Sequence, residues 1–170
     1  METFEELFRT HYTEVYRFLM KLSSCDASLA EELTQETFYR AYLSLPDFRG
    51  QCQFKTWLIQ IAKNCFYQTL RRKRSDLPLH ELKTEPHSGY PTLPEKLEDA
   101  EAFARARAII DIMQPAMRDV ILYRVYSDLT YAQIAALLSI SEGSAKVLFY
   151  RGKHLLRTKL KEAYGYEIRL

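Results

Sequence analysis

Ser144, Lys146, Val147, Leu148 and Arg151 crowd the start of one C-terminal segment, and their types are those that meet nucleic acid. Lysine and arginine neutralise phosphates, while small polar and apolar side chains touch base edges. They lie within residues 130–160, TYAQIAALLSISEGSAKVLFYRGKHLLRTKL. Thr130 and Gln133 have the spacing of a capping box, so a short helix from Tyr131 to Leu138 is expected, with Ile134, Ala135 and Leu138 facing inward. Ser141 can cap the next helix. There Ala145, Phe149, Gly152 and Leu156 fall at i, i+4, i+7 and i+11 and form a packed face, leaving Ser144, Val147, Leu148 and Arg151 on the exposed one. A short helix, a tight turn and a longer helix with Lys146 and Arg151 near its start make a helix-turn-helix layout, whose second helix enters the major groove.

Charge along the chain widens this reading. The formal net charge is only +2. Yet Arg49 to Arg74 holds seven bases (Arg49, Lys55, Lys63, Arg71, Arg72, Lys73, Arg74) and no acid. A second basic set, Lys146, Arg151, Lys153, Arg157, Lys159 and Lys161, ends the chain. Asp26 to Glu36 has four acids and no base, and Ser75 to Glu101 has seven acids against two lysines. Blocks of opposite sign on a nearly neutral chain point to several charged partners rather than one polyanion.

Other chemistries find little support. His11, His80, His87 and His154 lack metal-ligand spacing with cysteines or carboxylates, and no glycine loop for phosphate and no nucleophile motif occurs, so neither a catalytic site, a metal nor a cofactor is expected. Cys25, Cys52 and Cys65 form no CxxC pair and are expected as free thiols. No apolar run approaches the twenty or so residues that span a bilayer, and METFEELFRTHY does not read as a signal peptide, so a cytoplasmic protein is expected.

The elements that must position these groups follow from periodicity. At 47% hydrophobic residues and 13% aromatic, the 170-residue chain can bury one or two cores. Phe4, Leu7, Phe8, His11, Val15, Phe18, Leu19 and Leu22 mark a first helix. Asp26 caps a second, with Leu29, Ala30, Leu33, Thr37, Phe38, Ala41 and Tyr42 as its apolar positions, closed by Pro46 and Gly50. A third carries Phe54, Trp57, Leu58, Ile61, Ala62, Cys65, Phe66 and Leu70 and is expected to stop in the basic run Arg71 to Arg74. The stretch DLPLHELKTEPHSGYPTLP, with four prolines and a glycine, reads as a linker. A fourth helix is expected from Glu95 to about Met113, and Pro115 suits the first turn of a fifth, Ala116 to Tyr126. With no alternating segment, the fold class is all-α: two small helical domains, 1–74 and 95–170, joined by an acidic, proline-containing flexible linker, 75–94.

Three stretches together resemble a known family across nearly the whole chain. DASLAEELTQETFYRAY looks like the second conserved region of bacterial RNA polymerase sigma factors, and FRGQCQFKTWLIQIAKNCFYQTLRRKR looks like the promoter-opening segment after it. MQPAMRDVILYRVYSDLTYAQIAALLSISEGSAKVLFYRGKHLL looks like sigma region four. With only these two regions and a short linker, the chain is similar to the extracytoplasmic-function group.

The resemblance implies roles for particular residues. The second helix would dock on a coiled-coil of the largest catalytic subunit of core RNA polymerase through Glu32, Leu33, Gln35, Glu36, Phe38 and Arg40, with Phe38 as a buried anchor and the charges orienting the encounter. The downstream (−10) promoter element would be melted by Arg49, Gln51, Cys52, Gln53, Phe54, Lys63, Asn64, Tyr67 and Arg71. Holding an unstacked base calls for a pocket, an amide to read its edge and positive charge for phosphates. Asn64, Tyr67 and Arg71 share a helix face opposite Trp57, Ile61 and Phe66, and Trp57 reads as core. The upstream (−35) element would be read by Thr130, Tyr131, Ser144, Lys146, Val147, Leu148, Tyr150, Arg151 and Lys153.

Two departures from the family pattern bear on specificity and strain. Ser139 stands in the turn where glycine is common, at a cost of about 1 kcal/mol or somewhat more if a left-handed backbone is needed. Leu148 replaces a frequent arginine, so Val147 and Leu148 offer only apolar contact, for instance to a thymine methyl, and a different recognition sequence is expected. In the linker, Asp76, Glu81 and Glu85 either imitate nucleic acid in a cationic polymerase channel or serve a plain solvated tether. The group also implies an anti-sigma protein covering both surfaces, and no small-molecule substrate. The residues leave two other readings open: a stand-alone helix-turn-helix regulator that binds DNA without polymerase, and a helical adaptor.

Overall fold

A computed structural model describes the backbone of residues 3–76 and 94–165, with side chains over 3–73 and 101–165. Among the described residues there are seven α-helices and no strand: α1 Phe4–Leu22, α2 Ala27–Ser44, α3 Phe54–Asp76, α4 Pro94–Asp111, α5 Pro115–Tyr126, α6 Tyr131–Leu138 and α7 Glu142–Tyr164. A 3-10 turn, Leu45–Asp47, follows α2. The acidic connection 77–93, with Glu81 and Glu85, lies outside the described residues, as does the side chain of Asp76.

Local chemistry sets the helix ends. Thr3 and Glu6 form a reciprocal capping box on α1, and Asp26 accepts the Leu29 amide to start α2. Pro115 occupies the first turn of α5, where its missing N–H costs nothing. One boundary differs from expectation. α3 does not stop within the basic run Arg71 to Arg74 but continues past it to Asp76, because Arg and Lys are good helix formers and their charges suit a helix C-terminus.

The first half packs α1, α2 and α3 around Val15, Phe18, Leu19, Leu22, Ala30, Leu33, Phe38, Leu58, Ile59, Ala62 and Phe66, all buried. Each fully buried aliphatic or aromatic side chain here contributes about 1.5–3 kcal/mol. Thr34 and Thr37 are also buried, with their hydroxyls donating to the Ala30 and Leu33 carbonyls at 2.7 and 2.6 Å. In the second half α5 buries Val120, Ile121, Leu122 and Tyr123 in succession, so it is covered on every side, as an evenly apolar helix must be. Its closest neighbour is α7, admitted by Gly152: a Cβ there would lie 2.7 Å from Ile121 Cγ1 and 3.0 Å from Met117 Cγ.

The two halves also pack on each other, with α4 and α5 against α1 and α6 against α3. Polar side chains bridge the two halves directly. Arg107, buried on α4, donates to the Leu22 carbonyl at the end of α1. Its guanidinium also lies 4.3 Å from the Phe66 ring centroid and 5.2 Å from that of Tyr67.

Candidate nucleic-acid and partner-binding surfaces

The helix-turn-helix forms as its caps dictate. Thr130 and Gln133 complete the capping box of α6. Ser139 ends that helix in the left-handed region at φ 54°, ψ 43°, and the Ile140 amide closes the turn on the Ala135 carbonyl at 3.0 Å. The Ser141 side chain accepts from the Ser144 amide at 3.0 Å and lies 2.8 Å from its hydroxyl. On α7, Ala145, Gly152 and Leu156 are buried while Ser144, Lys146, Val147, Tyr150 and Arg151 are exposed, Val147 at 49% and Tyr150 at 64%. Leu148 and Lys153 are half-buried, and Leu148 packs on the core. The apolar side chains offered to a base are therefore Val147 and Tyr150 more than Leu148. Lys146 pairs with Glu142 at 2.7 Å, a contact that raises its pKa, and sits 5.9 Å from the Tyr131 ring centroid. Tyr131 is half-buried against Phe149, and Thr130 is exposed but committed to its cap.

The expected −10 set divides. Arg49, Gln51, Gln53, Asn64 and Arg71 are exposed. Phe54 is half-buried in an aromatic cluster, 5.8 Å from Phe48 and 5.5 Å from Trp57, where the tryptophan stacks on Phe48 at 4.7 Å. Cys52 is half-buried, and burial pushes its thiol pKa up. Lys63 and Tyr67 do not face solvent as expected. Lys63 is buried, ion-paired with Asp119 and 5.1 Å from the Tyr123 ring centroid. Tyr67 donates to Asp111 at 3.2 Å, and the Arg118 guanidinium lies 4.7 Å from its ring. Burial pushes the Tyr67 phenol up to about 12. Both residues sit on the flank of α3 that receives α4 and α5, which a reading of α3 alone cannot foresee. Nearby, Gln133 Nε2 of α6 donates to Gln53 Oε1 at 2.6 Å.

The expected polymerase ridge needs a correction at its apolar positions. Leu33 and Phe38 are 2% and 3% exposed. Phe38 lies 4.6 Å from Phe8 and 6.3 Å from Tyr12, inside the α1–α2 packing, so it anchors the fold and not a partner. Glu32 and Gln35 are exposed, Glu36 and Arg40 half-buried. Arg40 bonds Glu36 and reaches Gln68 of α3, each at 2.5 Å. These side chains, with Tyr39, Thr69 and Arg72, line an open groove of about 390 Å³ between α2 and α3. Of the apolar groups exposed on α2, Tyr39 lines the groove and is 60% exposed, while Leu43, one turn further on, is 56% exposed. Sequence reasoning missed both, although they fall at i+7 and i+11 from Glu32, on the acidic face.

Among the described residues no group of three or more His, Cys, Asp or Glu side chains is placed to hold a metal, and no helix is long and apolar enough to cross a membrane. The geometry thus defines an all-helical protein with a helix-turn-helix in one half and a grooved three-helix bundle in the other. The Sigma-70 region 2 family model matches residues 7–75, and the Sigma-70 region 4 model matches residues 103–156. The chain is similar to the RNA polymerase sigma factor CarQ of Myxococcus xanthus, 30% identical over 95% of this chain and 91% of that one. It is 31% identical to the ECF RNA polymerase sigma factor SigE of Mycolicibacterium smegmatis over 94% of its length, spanning 62% of that relative. Its fold is similar to that of the sigma factor RpoE of Bartonella quintana, solved in complex with the anti-sigma factor NepR, with TM-score 0.60 and 21% identity over 94% and 98% of the two chains. This chain belongs to the RNA polymerase sigma factors of the extracytoplasmic-function group.

Proposed function

We propose that the chain binds core RNA polymerase and directs it to a particular class of promoter, with residues 1–74 engaging polymerase and the −10 element, 95–170 the −35 element, and 75–94 connecting them. The observation that carries this reading is α7, whose opening turns hold Ser144, Val147, Tyr150 and Arg151 outward on a firmly capped helix-turn-helix. On the −35 element Arg151 and Lys146 would neutralise phosphates, while Val147 and Tyr150 give apolar base contact. On the −10 element Gln51, Gln53 and Asn64 supply amides for the edge of an extruded base, and Arg49 and Arg71 supply positive charge. The groove between α2 and α3, edged by Glu32, Gln35, Glu36, Tyr39 and Arg40, is the docking surface for the polymerase coiled-coil. RpoE of Bartonella quintana is bound by an anti-sigma factor, and we assign a partner of that kind to this chain as well. The site of action is the cytoplasm.

Promoter binding measured with and without core polymerase tests the proposal. A sigma factor binds promoter DNA well only with polymerase present. Equal binding by the chain alone would make it a stand-alone regulator, and no binding in either case an adaptor. Within the holoenzyme, Val147→Arg should change the preferred −35 bases in a selection from randomised DNA.

A further inference from the structure

His11, Glu14 and Lys55 meet at the foot of the loop 49–53. Glu14 of α1 bonds Lys55 in the first turn of α3, and its other carboxylate oxygen lies 3.2 Å from His11 Nδ1. Lys55 is one of the seven bases between Arg49 and Arg74, yet a carboxylate already faces it, so its charge is spent within the bundle. α3 opens with a cation and no acid in its own first turn, an arrangement that its dipole disfavours. Glu14 supplies the missing negative charge from α1.

Three aromatic rings close the base of the loop. Phe48 before it and Phe54 after it have centroids 5.8 Å apart, and both pack on Trp57. His11 adds a fourth ring from α1, its centroid 5.7 Å from that of Phe54. The Gln53 carbonyl accepts from the Trp57 amide at 3.1 Å, so the backbone at Gln53 is fixed by the first turn of α3. The contacts that hold this turn to α1 therefore set where the Gln51 and Gln53 amides stand. With side-chain exposures of 40% and 31%, the Glu14–Lys55 pair adds little to stability. Its consequence is geometric, because groups that read a base edge must be held within about 0.5 Å of their working positions.

We propose that His11, Glu14 and Lys55 are positioning residues for −10 recognition: Glu14 clamps the first turn of α3 through Lys55, and His11 backs Phe54, so that the loop offers a single geometry to an extruded base. The proposal rests on the assignment of the loop to −10 DNA.

The test uses holoenzyme and two pre-melted promoter duplexes, one carrying the −10 bases that the wild type selects from randomised DNA and one with the most strongly selected base replaced. The ratio of the two affinities measures discrimination. Glu14→Ala, Lys55→Ala and His11→Ala should each lower that ratio about tenfold, the discrimination that one well-placed pair of base contacts supplies. Lys55→Arg should keep it, because a guanidinium also pairs with Glu14. Affinity for core polymerase should stay at the wild-type value, because none of the three residues lines the groove between α2 and α3. Glu14→Gln, which removes the charge and keeps the shape, serves if Glu14→Ala disturbs helical circular dichroism. An unchanged ratio overturns the proposal, and equal weakening on both duplexes in Lys55→Ala would make that lysine a phosphate contact instead. A ratio that falls only in step with polymerase affinity overturns it too, since the brace would then serve the fold alone, as does a loss in Lys55→Arg as large as in Lys55→Ala. The −10 assignment is judged separately by Gln51→Ala combined with Gln53→Ala. An unchanged ratio there removes the assignment and the proposal with it, whereas a lowered ratio there beside an unchanged one in Glu14→Ala removes the brace only.

Discussion

Ser139 holds a left-handed backbone at φ 54°, where its Cβ crowds the chain. Glycine there relieves the Cβ clash but gains freedom when unfolded, so Ser139→Gly should stabilise the chain by about 0.5–1 kcal/mol. Thermal unfolding should then rise by roughly 1–4 °C. The family resemblance marked this turn as one where glycine is common, and the structure supplies the left-handed backbone on which the strain depends. Tyrosine ionisation is a different matter, set by surroundings. The Glu31 hydrogen bond first, then burial, raises Tyr12 to about 12, and burial raises Tyr126 likewise to about 12. Tyr67 is pushed up to about 12, and Tyr123 is raised further still. Their folded values exceed the ordinary value of about 10, so the fold favours the protonated phenols. That stabilisation is complete below about pH 10 and is lost as pH climbs through the folded values near 12. Phenolate absorbance should therefore show these four of the 12 tyrosines ionising late, together with loss of helical circular dichroism.

α2 presents two apolar faces that differ by about one residue of rotation, roughly 100°. Its periodicity marks Leu33 and Phe38 among the apolar positions, and packing buries both while Tyr39 and Leu43 stay exposed. Phe38→Ala should cost about 3–5 kcal/mol in denaturant unfolding, from lost burial and the cavity left behind. Tyr39→Ala should shift stability by about 0.5 kcal/mol or less. In a polymerase pull-down or titration, however, it should weaken binding by about 1–2 kcal/mol if Tyr39 is an interface anchor. A folded Phe38→Ala chain with weakened polymerase binding and unchanged stability would reverse the two assignments. On α7 the sequence placed Ala145, Gly152 and Leu156 inward and Ser144, Val147 and Arg151 outward, as found, but Leu148, expected on the exposed face, is half-buried against the core.

The joint between the halves turns on Arg107, which meets the Leu22 carbonyl, Asp111, Phe66 and Tyr67 at once. If the joint couples the halves, unfolding by denaturant is a single cooperative event. Trp57, the one tryptophan, reports only on the first half, whereas helical circular dichroism reports on both. The two signals should coincide in the wild type and separate in Arg107→Ala, where the second half and the first would melt at different denaturant concentrations. Coincident transitions in that variant would show that the apolar contacts couple the halves without it.

The all-helical class, the capped starts of α2, α6 and α7 and the outward placement of Ser144, Val147 and Arg151 were determined by the sequence alone, because caps and helical periodicity act between residues a few positions apart. The pairing of Lys63 with Asp119, 56 residues on, was decided only by the tertiary structure, as was the covering of Tyr67. A charge carries no mark of which distant opposite charge it will meet, and a tyrosine on a polar helix face does not state which element will cover it. Those choices are made when whole elements compete to bury surface, so they leave no period in the chain to be read.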